Sequence, residues 1–74
     1  MDNVEFRLIR RLLGLTQAQL APLIGYRHAT RVAECEREGA VIPAPVALLM
    51  RAYEDGYRPT DWARVQGNLD TAQG

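Results

Sequence analysis

Apolar side chains recur at helical spacing along this chain, in short blocks separated by glycine and proline. In the first block Phe6, Ile9 and Leu13 fall on one stripe with Leu8 and Leu12 beside them, while Arg7 and Arg11 share another face. This spacing predicts a helix over residues 3–13, closed at Gly14. The second block opens Leu15-Thr16-Gln17-Ala18-Gln19-Leu20. Thr16 and Gln19 have the spacing of a capping box, and Leu15 and Leu20 that of a hydrophobic staple, so both signals place the N-cap at Thr16. The helix is expected to run to Ile24 and stop at Gly25 in a left-handed conformation. Pro22 lies inside it, where a missing N–H and a ring clash predict a kink or a loosened first turn.

The third block, residues 28–37, is more polar. Ala29, Val32, Cys35 and Glu36 are its expected inward positions, with Arg27, His28, Thr30, Arg31 and Glu34 outside. After Pro43-Ala44-Pro45, with Pro45 suited to a first helical turn, Val46, Leu49, Met50 and Tyr53 have the spacing of a buried face that ends at Gly56. A fifth short helix is expected near Thr60, carrying Trp62 and Val65 inward, before a polar tail over 68–74; Trp62, Val65 and Leu69 are expected as core or subunit contacts. No segment alternates with a period of two. The fold expected is all-α, a single domain of five short helices over residues 1–67.

Length and composition narrow the chemistry. A chain of 74 residues forms one small domain. It buries only roughly 60% of the surface its unfolded form exposes, so a partner subunit would help it. Cys35 is the sole cysteine and His28 the sole histidine, which leaves no disulfide framework and no metal-ligand spacing. There is no carboxylate pair or nucleophile–base pair at informative spacing, so neither an enzyme nor a cofactor is expected. Neither a signal-like start nor a membrane-spanning apolar run is present, and the expectation is a cytoplasmic protein away from membranes.

Net charge is zero, from nine arginines and nine acidic residues, and a neutral domain argues against nucleic acid. The distribution reverses that inference. Residues 6–31 hold Arg7, Arg10, Arg11, Arg27 and Arg31 and no acid, a segment of +5, while the rest of the chain is negative. Every cation is an arginine, whose fork can bind a phosphate or a guanine edge bidentately.

Residues 16–37 have the size and punctuation of a helix-turn-helix, the unit that sets a second helix in the DNA major groove. The stretch from Leu15 to Gly25 resembles the first half of that motif in the phage repressor and Cro family, called XRE-type: Ala21 at the helix crossing, Gly25 at the turn, Leu20 and Ile24 in the core. The resemblance implies a lambda-repressor-like fold. It also implies structural roles for Arg10 paired with Glu36 and for Trp62, which follows Asp61 as in the family's last helix. One departure is that Val32 and Glu36 each come one residue late, so the turn after Gly25 is longer. With Ala40-Val41-Ile42-Pro43 and the Pro-Ala-Pro that follows, this resembles the small anti-CRISPR-associated regulators of phages, dimeric repressors of their own operons.

That resemblance implies double-stranded DNA carrying an inverted repeat, and a second copy of the chain, as partners; no small-molecule ligand is evident from the sequence. Arg27, His28, Thr30, Arg31 and Glu34 are the candidates for base contacts, and the inserted residue leaves open which of them face the bases. Thr16, Gln17, Arg7 and Arg11 are the candidates for phosphate contacts, Gln17 through its side chain and the free N–H groups at a helix start. Blander readings stand beside these: His28 as a solvent-facing cap, Cys35 as a small core residue, Arg7 and Arg11 as a solvated face. The rival functions are an antitoxin that represses its own operon, and a protein-interaction module that keeps the scaffold without DNA.

Overall fold

The computed structural model describes residues 1–63 and 65. They form one all-helical domain, with α1 at Asn3–Leu12, α2 at Gln17–Leu23, α3 at Ala29–Cys35 and α4 at Ala44–Glu54, then a helical stretch at residues 60–63 and 65. Among the described residues there is no strand. The expected tail at 68–74 and the core or subunit contact expected of Leu69 lie outside the described residues.

Local chemistry sets most of the boundaries. Asp2 caps α1, its carboxylate accepting the Glu5 N–H at 2.8 Å. With Glu5 in the first turn and Arg10 and Arg11 in the last, the charges also suit the helix dipole. At α2 the capping box forms in full: Thr16 Oγ1 accepts the Gln19 N–H, and Gln19 Oε1 accepts the Thr16 N–H. The helix ends in a Schellman motif, with Tyr26 N–H donating to the Ala21 carbonyl and Gly25 N–H to that of Pro22. Gly25 takes φ +88°, a conformation that costs any residue with a Cβ. The same pair of bonds closes α1 and α4.

Two expectations are corrected. Pro22 does not loosen the first turn of α2, because it lies in the last turn, one residue from the helix end, and the capping box holds the first. The carbonyl that loses its bond is that of Ala18; both residues are exposed, where water can take its place. The third helix is shorter than 28–37: His28 is extended and serves as N-cap, while Glu36 and Arg37 already turn toward Gly39.

The core joins Phe6 and Ile9 of α1, Leu20, Ala21 and Leu23 of α2, Val32 and Cys35 of α3, Val46, Met50 and Tyr53 of α4, and Trp62. Leu15 and Ile24 complete it from the ends of α2. Helix α2 packs chiefly on α3, and α1 on α4. Tyr53 pins the two pairs together, its hydroxyl donating to the Leu23 carbonyl and its ring meeting the Trp62 indole edge-on at 5.1 Å. The Arg58 guanidinium covers that indole at 4.2 Å from the ring centre. Leu8 and Leu12, placed beside the buried stripe by spacing, stand instead outside the core with Val4.

Candidate nucleic-acid interface

What α3 presents to solvent depends on how firmly its inner side is held. Val32 is fully buried and Cys35 nearly so. Glu36, just past the helix end, is only 8% exposed, a burial that a carboxylate sustains when its oxygens are paired. They are: Arg10 donates to it through Nε at 2.5 Å and Nη2 at 3.2 Å, and Gln17 Nε2 donates at 3.1 Å. Arg7 Nε approaches to 4.0 Å, and Arg10 Nη1 donates to the Leu15 carbonyl at 2.8 Å. Asn3 adds a bond from α1 to the Glu36 backbone carbonyl. One carboxylate therefore ties α1, the start of α2 and the end of α3 into a single frame. No buried side-chain polar atom among the described residues lacks a partner.

Arg10 and Glu36 thus form the pair expected of them, and Trp62 is buried against Tyr53. Gln17 has a place in this frame that sequence reading did not foresee: its carboxamide is directed to Glu36, leaving one side-chain N–H and the helix-start amides for any outside contact. Thr16 keeps a hydroxyl proton to donate, because in the capping box its oxygen only accepts.

The outer side of α3 is different in kind. Arg27, His28, Thr30 and Arg31 are all exposed at the start of the helix, and Glu34 follows one turn on, half-buried. Arg31 Nη1 lies 3.4 Å from Glu34 Oε1, an exposed pair one turn apart that restrains the guanidinium weakly. A groove of about 260 Å³ runs beside this face, between Tyr26, Arg31, Glu34 and Cys35 and the 40–43 loop. Burial pushes the Cys35 thiol above its ordinary range, against a hydrogen bond with Tyr26, with Glu34 and Glu36 pushing the same way as burial. A protonated, buried thiol is a packing group and not a nucleophile. Tyr26 is raised as well, first by burial and then by Cys35.

Of the candidate phosphate contacts, Arg7 is half-exposed with Glu36 at its edge, and Arg11 is exposed on the next turn of α1. Arg37, exposed just beyond α3, is a further cation that the sequence reading passed over; its charge was visible, but its place beside the helix end depends on where α3 stops. Comparison with family models, with curated proteins and with solved structures finds no match.

Among the described residues no helix is long and apolar enough to cross a membrane.

Proposed function

We propose that this chain is a sequence-specific DNA-binding repressor that uses α2 and α3 as a helix-turn-helix, with α3 read into the major groove. One observation carries the reading: three exposed hydrogen-bonding side chains and Arg31 cluster at the start of a short helix whose other side is anchored through Val32, Cys35 and Glu36. A reading head needs that combination, because base edges are distinguished by donors and acceptors held in a fixed position. Arg27 and Arg31 take guanine edges or phosphates, His28 and Thr30 neighbouring groups, and Glu34 a cytosine amino group. Thr16, Gln17, Arg7 and Arg11 steady the duplex through its phosphates.

The thin core and the two-fold symmetry of operators support a homodimer on an inverted repeat, with half-sites about one helical turn apart. The resemblance to small phage regulators extends the proposal to autoregulation of a phage or mobile-element operon in the cytoplasm, with no enzymatic activity and no cofactor. The test is a gel shift against the DNA upstream of the chain's own gene, at two salt concentrations. A shift on an inverted repeat that weakens steeply with salt is expected, since phosphate contacts release counterions. No shift on any inverted repeat there would set the proposal aside in favour of an interaction module.

A further inference from the structure

The face of α1 turned from the core carries Val4, Leu8 and Leu12, four residues apart on successive turns, and they are 67%, 55% and 69% exposed. Scattered apolar residues on a surface need no explanation, but a contiguous stripe along one helix does. Arg7 and Arg11 run along one edge of it, and a shallow groove of about 250 Å³ lies between these arginines and Val4 and Leu8. Glu5 borders the opposite edge and is held by Arg51 of α4 at 2.7 Å. Arg11 has no ion-pair partner among the described residues, and Arg7 only the distant edge of Glu36.

Size and charge select the occupant. The three side chains expose on the order of 300 Å² of apolar surface, against roughly 450 Å² of apolar surface per partner in a stable interface between whole proteins. The stripe is therefore matched to a single helix and is too small for a second copy of this domain. An antiparallel copy would also bring arginine edge against arginine edge. Asp2 and Glu5 at the N-terminal end oppose an anionic bilayer.

We propose that the outer face of α1 docks an amphipathic helix of a partner protein, whose apolar side chains cover Val4, Leu8 and Leu12 and whose carboxylates pair with Arg7 and Arg11. A second consequence rests on the proposed DNA reading: Arg7 and Arg11 cannot serve phosphates and these carboxylates together, so the partner helix and the duplex exclude one another.

The probe is a labelled synthetic helical peptide with leucines at four-residue spacing and glutamates along one edge, compared with the same peptide carrying lysines there. Fluorescence anisotropy on the full chain without DNA should show binding of the glutamate peptide only. Leu8→Ser and Arg11→Gln should each weaken it about tenfold while the thermal midpoint stays unchanged, since both side chains are exposed. Absence of binding, or binding indifferent to Leu8→Ser, overturns the proposal. So does self-association, or capture by vesicles of anionic lipid, that disappears in Leu8→Ser. Displacement of bound DNA by the peptide supports exclusion, and a ternary complex contradicts it. Because the peptide arm contains no DNA, a chain that binds peptide but no operator refutes the DNA reading and leaves the docking site standing.

Discussion

Arg10 and Arg31 are the same residue type in the same positively charged segment, and the structure puts them to opposite uses. Arg10 is largely buried and grips both oxygens of Glu36, with a third bond to the Leu15 carbonyl. Arg31 reaches solvent at the start of α3, restrained only by the half-exposed carboxylate of Glu34 one turn away. The inner charge is consumed in holding helices together; the outer one remains available to a ligand. Segment charge therefore overstates what a duplex would meet, and burial of each guanidinium decides how much of it counts.

The largest expected effect comes from breaking the inner region. Glu36→Ala leaves Arg10 buried without its countercharge, and loss of one partner from a buried pair costs about 3–5 kcal/mol. Against a total of roughly 4–11 kcal/mol for a domain of this size, that takes the chain close to unfolding, as a urea titration followed by circular dichroism will show. Replacing Arg10 and Glu36 together by apolar residues of similar volume should restore much of the loss. Were Glu36→Ala neutral, the frame would not be what holds α3.

The outer region should respond in binding and not in stability. Arg27→Ala or Arg31→Ala should cost about 1–3 kcal/mol on a cognate operator and relax preference at one base position, while Arg11→Ala should weaken all sequences alike and lower the salt slope by about one. None of the three should change the unfolding free energy read from a urea titration by more than about 0.5 kcal/mol.

Gly25→Ala sharpens the comparison at the joint between α2 and α3. Nothing lies within 4 Å of the added Cβ, so the penalty is conformational alone, about 1–2 kcal/mol from φ +88°. It should appear in stability first, and in operator affinity only as far as the turn moves α3.

The smallest effect is that of alkaline pH, which loosens the inner region. Burial is the main cause that holds the Tyr53 hydroxyl above its ordinary value of 10.0 and the Cys35 thiol above 9.0. Well below pH 9 both groups keep their protons in either state and stability is full. As pH rises past 9 and then 10 the unfolded chain ionises first, so stability falls until the raised folded values are passed. Urea midpoints should be flat from pH 7 to 8.5 and decline above; in Tyr53→Phe the decline should be shallower, from a lower start because the bond to the Leu23 carbonyl is gone. A midpoint that rises above pH 9 would contradict this account.

How far sequence reached depended on the range of each interaction. The Thr16–Gln19 capping box and the turn at Gly25 were legible because both partners lie within a few residues and follow from backbone geometry. The all-α fold and the burial of Val32, Met50 and Trp62 followed from helical spacing. Arg10 and Glu36 are 26 residues apart, and only the family resemblance paired them. Nothing marked Gln17 as the next donor to the same carboxylate, because that depends on how α2 crosses α1 and α3. Periodicity also could not say which of two apolar stripes on α1 faces inward: Phe6 and Ile9 are buried, while Leu8 and Leu12 lie outside. The five candidate base contacts came from position alone, and the structure separates them: Arg27, His28, Thr30 and Arg31 are exposed at the start of α3, while Glu34 is half-buried one turn on.

The most direct test of the two roles assigned to arginine uses the double variant Arg27→Ala/Arg31→Ala, titrated onto an inverted repeat from upstream of the chain's own gene, beside the wild type in the same buffer. The variant should keep the wild-type urea midpoint and lose cognate affinity by at least about tenfold. Equal affinity of variant and wild type, at unchanged stability, would contradict those roles.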